Sequence, residues 1–261
     1  MPELPEVEEA MQRLRAAVEG KTIARAKPHH AAIARQFPDA AARRLRQQRI
    51  VRVERRGKHQ LMHLENGSTL HAHFRMNGDW LISRSDEPLH RFTRASIDLT
   101  DGTRIELNDS RALCALSLHA KGVNPLPSLG MEANDPALDA SYLKLALKAR
   151  RGPIKPALMD QKVIAGLGNI YAAESLWRAK ISPRAVASSL SRARLERLAE
   201  AIHAVLEEEN RPPGRYTENV GRERFAVYDR EGQPCHRCGT AIRRIPQAGR
   251  STYFCPVCQK S

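Results

Sequence analysis

The chain has 261 residues, a formal net charge of +14 and a sequence pI near 10.1. That balance points to a polyanionic partner, while an aromatic content of 5% argues against a single-strand binder built on base stacking. The N-terminus lacks the apolar run of a signal peptide and no stretch approaches transmembrane length. A cytoplasmic protein is therefore expected, with its five cysteines serving as metal ligands or free thiols rather than disulfides.

The chain opens Met1-Pro2-Glu3-Leu4-Pro5-Glu6, placing a secondary amine and two carboxylates within one helical turn. Removal of Met1, which the small Pro2 side chain should permit, would leave Pro2 as a terminal amine able to attack an electrophilic carbon and form a Schiff base. A generic α-amine titrates at roughly 7.7–8.0, so much more of it is neutral at physiological pH than of a lysine. Glu3 is placed to protonate a leaving oxygen. The plainer alternative is a helix start punctuated by prolines, with acidic residues at its positive end. Val7, Met11, Leu14 and Val18 recur at helical spacing before Gly20, so residues 5–19 read as one amphipathic helix.

Residues 21–47 are rich in Ala and Arg and carry no clear period. From Ile50 the texture alternates, and strands are expected at 50–53, 60–64, 70–74, 95–99, 103–107 and 113–118. Residues 65–68 (Glu-Asn-Gly-Ser) and 100–102 (Thr-Asp-Gly) read as turns. Arg55-Arg56-Gly57-Lys58 forms a basic turn. His63, His71 and His73 alternate on neighbouring strands, where polar packing or phosphate contact is a better reading than a metal site. Cys114, alone on an apolar run, reads as core. After a Pro- and Gly-containing stretch at 124–130, helices are expected at 142–150, 156–163, 170–179 and on to a break at Arg211-Pro212-Pro213.

The strongest signal is Cys235-x2-Cys238-x16-Cys255-x2-Cys258, whose two knuckles fit one tetrahedral, closed and therefore structural Zn2+. Arg243, Arg244 and Arg250 lie between the knuckles and suit phosphate contact. Gly166-Leu167-Gly168-Asn169 precedes a helix, where backbone N–H groups can approach a phosphate and Asn169 can cap the helix or bind the anion; an ordinary interhelical turn would look the same.

The opening MPELPEVE, the Lys155 and Gly-Leu-Gly-Asn stretches and the four-cysteine module together resemble the formamidopyrimidine-DNA glycosylase and endonuclease VIII family, in order and from Pro2 to Cys258. The resemblance implies an α+β, multi-domain chain. Residues 1–125 would form a β-sandwich with a leading helix, 126–140 a linker, 141–212 a helix–two-turn–helix domain and 225–261 a zinc finger. It implies a bifunctional glycosylase and abasic-site lyase acting as a monomer on double-stranded DNA with oxidised bases or abasic sites. Pro2 would be the nucleophile on C1′, Glu3 the proton donor and Glu6 a supporting carboxylate. Lys58 would assist base loss and β-elimination, and Arg250 δ-elimination. Met76, Arg111 and Leu113 would fill the gap left by a flipped base, with Leu113 standing where the family has an aromatic wedge. Arg150, Lys155 and Asn169 would bind the DNA backbone, as would His90 or Arg94, and Glu174 would be mainly structural. The stretch from Glu207 to Phe225 is shorter than the family segment that closes over 8-oxoguanine, and residues 211–217 do not resemble it. Formamidopyrimidines come first on that basis, with 8-oxoguanine or hydantoins beside them. Two alternatives stay open: an endonuclease VIII-like preference for oxidised pyrimidines, and a non-catalytic zinc-ribbon protein that binds damaged DNA.

Overall fold

The computed structural model describes residues 1–209 and 225–260; the segment 211–217 singled out above lies outside them. The chain divides into two compact units, Met1–Pro127 and Ser128–Ser261.

The first unit begins with α1 (Leu4–Val18), followed by β1 (Ile23–Pro28), α2 (Ala31–Ala34) and α3 (Asp39–Arg44). Seven strands follow: β2 (Ile50–Arg56), β3 (His59–Leu64), β4 (Thr69–His73), β5 (Asp79–Arg84), β6 (Thr93–Leu99), β7 (Thr103–Asn108) and β8 (Ala115–His119). They form two four-stranded sheets, ordered β1-β6-β7-β5 and β2-β3-β4-β8. One apolar cluster joins Ile97, Ile105 and Leu107 of the first sheet to Met62, Leu70 and Leu116 of the second, which makes the unit a β-sandwich. Across it the indole N–H of Trp80 donates to Gln60 Oε1 at 2.5 Å, so the one polar edge of a buried aromatic finds its acceptor.

Helix α1 buries Val7, Ala10, Met11, Leu14 and Val18 in the same core. Its polar side closes an edge. Arg15 donates to the carbonyl of Val53 at 3.2 Å and Glu19 accepts from the Val53 N–H at 2.6 Å, covering β2 where a sheet edge would otherwise stand open. The residue Ala- and Arg-rich stretch that had no clear period holds β1, paired antiparallel with β6, and the two short helices.

One outer sheet face carries the histidines. His59 lies opposite His73 across β3 and β4, and His71 follows on the same face. His59 Nδ1 and His71 Nε2 share a hydrogen bond of 2.8 Å, the two rings stack at 5.1 Å, and His73 meets His59 edge-on at 4.8 Å. His73 Nδ1 accepts from the Arg75 N–H at 2.9 Å, which leaves the proton on Nε2 and disfavours a metal there. Burial first, then the neighbouring His59, lowers His71 to about 4; burial, His59, Arg75 and Lys58 lower His73 to about 3.

The second unit contains β9 (Met131–Glu132), α4 (Ala140–Leu147), α5 (Ile154–Met159), β10 (Ile164–Ala165), α6 (Asn169–Arg178), α7 (Arg192–Glu209), β11 (Arg243–Gln247) and β12 (Arg250–Phe254). β9 pairs in parallel with β10, so part of the stretch read as a linker is built into this unit. β11 and β12 form a hairpin whose turn residues, Ala248 and Gly249, both have positive φ, as a two-residue turn of this twist requires. Among the described residues no helix is long and apolar enough to cross a membrane.

The histidine face gives the first unit a pH dependence with a definite sign. An unfolded histidine titrates near 6.5, so below that value the unfolded chain takes up protons that native His71 and His73 refuse. Stability should be full above about pH 6.5 and fall by roughly 2–4 kcal/mol by about pH 4.5. Urea melts at the two pH values measure this, and His73→Gln should flatten the dependence.

Candidate DNA-processing site

In the first unit the candidate residues lie on α1, in the β2–β3 turn, in the β5–β6 loop and on the two connections that cross between the sheets. Glu3 is 1% exposed, and its N–H donates to Glu6 Oε2 at 2.8 Å, the returning half of a capping box. Pro2 precedes it, half-buried. Lys58, 7% exposed, sits in the turn between β2 and β3, where Gly57 has φ +56°. That turn is tied to α1. Arg55 donates to Glu8 Oε2 at 2.6 Å and to the Gly57 carbonyl at 2.9 Å, holding the lysine turn to the helix that carries Pro2 and Glu3. Arg13 on the same helix binds Asp79 at 2.9 Å, the first residue after the Met76 loop.

Met76 is 41% and Leu113 46% exposed, and Arg111 is exposed beside Leu113. His90 is held nearby: its N–H donates to Glu106 at 3.0 Å and its ring lies 2.6 Å from Asn108. Burial pushes the pKa of Glu106 up, but hydrogen bonds from Thr93, the His90 N–H and Ser83 outweigh it and leave the carboxyl below its usual range. Arg94, the other candidate for that position, donates instead to the carbonyls of Asp109 at 2.7 Å and Ser110 at 3.3 Å. It braces the loop. Cys114 is core, and burial followed by the neighbouring Asp109 pushes its thiol up to about 12.

In the second unit Lys155 is 1% exposed although it is a lysine. Its Nζ donates to Asn169 Oδ1 at 2.5 Å, to Thr252 Oγ1 at 2.8 Å and to the Ser251 carbonyl at 3.3 Å, and Asn169 Nδ2 meets the same carbonyl at 3.1 Å. Two distant motifs thus converge on β12, with exposed Arg250 next to Ser251. Ser251 and Thr252 are absent from the sequence-based set because hydroxyl residues on a hairpin give no signal of their own. The helix cap differs from the expectation: Gly168 is the N-cap of α6, and the Asn169 side chain is turned to Lys155. Arg150 is 2.7 Å from Asp160.

The four sulfurs of Cys235, Cys238, Cys255 and Cys258 lie within 4.8 Å of one another, with pairs at 3.9 and 3.5 Å. A tetrahedral zinc with Zn–S bonds of about 2.3 Å needs sulfurs about 3.8 Å apart, so the cluster fits one ion with all four positions taken. Trp177 Nε1 donates to Cys235 Sγ at 3.5 Å, and Arg237 stacks 3.7 Å over the same indole while donating to the Trp177 carbonyl at 2.6 Å. Glu174 on α6 supports the same module, accepting from the N–H groups of Ala226, Val227 and Tyr228 at 2.8–2.9 Å. Burial raises its pKa against the pull of those donors.

A β-sandwich led by a buried N-terminal helix, and helices that share a lysine–asparagine cluster with a four-cysteine hairpin, define a class of zinc-finger protein. Residues 1–116 match the formamidopyrimidine-DNA glycosylase N-terminal domain, 129–212 its helix–two-turn–helix domain and 232–260 the zinc finger found in that enzyme and in isoleucyl-tRNA synthetase. The chain is 40% identical to the formamidopyrimidine-DNA glycosylase of Cereibacter sphaeroides and 36% identical to that of Rhizorhabdus wittichii, in each case over the full length of both. Its fold superposes on a mutant of Lactococcus lactis FPG bound to Fapy-dG DNA with a TM-score of 0.90 at 27% identity over the whole of both chains. It superposes on the Thermus thermophilus protein with a TM-score of 0.83 at 37% identity, covering 99% and 98% of the two chains. The chain belongs to the formamidopyrimidine-DNA glycosylase family.

Two outcomes follow. Removing zinc with a chelator, or Cys238→Ser, should unfold the hairpin and weaken DNA binding at least tenfold, read by circular dichroism and fluorescence anisotropy. Glu174→Ala strands three backbone donors and should cost about 3–5 kcal/mol in calorimetric unfolding, with Glu174→Gln losing less.

Proposed function

We propose that the chain is a bifunctional DNA glycosylase and abasic-site lyase of base excision repair, acting on oxidised bases in duplex DNA. The observation that carries this reading is the placement of Pro2 and buried Glu3 at the start of a helix whose apolar face is locked into the core. Family membership supports it, as do relatives solved with Fapy-dG DNA and with carbocyclic 8-oxo-G DNA.

With Met1 removed, the Pro2 nitrogen attacks C1′ and the glycosidic bond to the damaged base breaks. Glu3 donates a proton to the sugar ring oxygen as the ring opens, giving an iminium between Pro2 and C1′. The iminium acidifies the C2′ proton. Its loss expels the 3′ phosphate, and a second elimination expels the 5′ phosphate, leaving a one-nucleotide gap with phosphate at both ends. Glu6 holds the backbone of Glu3. Lys58, anchored to α1 through Arg55, serves base loss and the first elimination, and Arg250 steadies the departing phosphate in the second. Met76, Arg111 and Leu113 fill the space left by the flipped nucleotide. Asn169, Arg150 and His90 hold the DNA backbone, while Lys155, expected from the sequence to do the same, is buried and positions Asn169 and the hairpin from beneath; the zinc, when bound, keeps the hairpin folded around its four thiolates. The protein works as a soluble cytoplasmic monomer. Formamidopyrimidine is its first substrate, since the MPELPEVE opening favours that branch, while the short stretch from Glu207 to Phe225 and Leu113 weaken the case for 8-oxoguanine.

Borohydride trapping on duplexes carrying an abasic site, formamidopyrimidine, 8-oxoguanine or 5,6-dihydrouracil tests this. The processed protein should form a covalent adduct that Pro2→Gly and a Met1-retaining form both lose. Binding without an adduct on every duplex would leave a non-catalytic DNA-binding zinc protein, and preference for dihydrouracil would move the chain to the endonuclease VIII branch.

A further inference from the structure

The two exposed loops that carry Met76 and Arg111–Leu113 come from different places in the sandwich. Residues 74–78 connect β4 of one sheet to β5 of the other, and residues 109–114 connect β7 back to β8. Each loop is rigid by its own construction. In the first, Arg75 has φ +56° and its N–H is held on His73 Nδ1 at 2.9 Å. Gly78 closes the turn onto the Phe74 carbonyl at 3.0 Å, where a Cβ would come within 2.7 Å of the Phe74 backbone, so no larger residue fits. In the second, Asp109 is wholly buried. Its carboxylate accepts from the N–H groups of Arg111 at 2.9 Å, Leu113 at 2.7 Å and Cys114 at 2.8 Å, while Arg94 holds its carbonyl from below.

Side-chain contact between the loops is made by Asn77 and Ser110: Asn77 Nδ2 donates to Ser110 Oγ at 2.8 Å. Both residues are exposed, and their bond joins the two loops rather than closing either one. We propose that Asn77 and Ser110 are positioning residues that lock the Met76 loop and the Arg111–Leu113 loop into one preformed wedge. Met76 and Leu113 have large exposed apolar side chains, so packing does not fix their separation; the backbones beneath them must. A wedge whose two halves are already held together avoids fixing their relative position at the moment of insertion, and that saving goes into holding the nucleotide out of the stack.

The inference rests on the glycosylase reading, and two measurements separate the two. Zinc-loaded, Met1-processed protein is compared with Asn77→Ala, Ser110→Ala and the double variant. All three should melt with the wild type, because the bond joins two surface groups. On a formamidopyrimidine duplex, each single variant should slow single-turnover excision about three- to tenfold, and the double variant should be no slower than the slower single one. The fluorescence of 2-aminopurine beside an abasic analogue reports insertion without any chemistry, and its change on binding should shrink in all three. Wild-type fluorescence in the variants, or effects that add in the double variant, would overturn the clamp. A normal fluorescence change with no excision by the wild type would overturn the glycosylase reading alone.

Discussion

An amine at the end of a chain is restrained by covalent bonds on one side only, so its position depends on how firmly the residues after it are held. Here that restraint is the burial of one face of α1. Five side chains at helical spacing enter the sandwich core, and Arg13 fastens the polar side to β5 while Glu8, Arg15 and Glu19 fasten it to β2. The lysine turn and the Met76 loop are each tied to this helix, so moving it would disturb the first unit's site as a whole. Apolar burial of this extent is worth several kcal/mol, enough to fix a terminus that would otherwise fray.

Among the described residues several buried charged groups act as brackets. Glu106 gathers the His90 loop, Asp109 the Arg111 loop, Lys155 the zinc hairpin and Glu174 the turn leading into it. A buried charge with several good donors or acceptors is tolerable, whereas the same charge with one partner removed is costly. These residues therefore specify loop geometry more than they add stability. Each pins irregular backbone that no ladder of secondary structure would hold.

Much of this was legible in the chain itself. The apolar spacing of α1, the Asn-Gly turn between β3 and β4 and the two Cys-x2-Cys knuckles are local patterns, and local patterns survive without knowledge of the fold. β1 and β5 were not legible. Ile23–Pro28 alternates alanine with basic residues and lacks the branched side chains that mark a strand; its pairing with β6 makes it one. The histidine face was read in part, from His63, His71 and His73, while His59 joined it only through cross-strand register.

The sequence by itself determined the family, the zinc ligands and the order of the modules, because each depends on residue types at short fixed spacings. Only the tertiary structure decided that Lys155 and Asn169 meet Thr252 nearly a hundred residues later, that Asp109 rather than a strand ladder shapes the Arg111 loop, and that Asn77 faces Ser110 across two sheets. Those contacts join positions with no shared periodicity. They exist because burying a polar group requires a partner, and the partner is whichever donor or acceptor the packed core brings within reach.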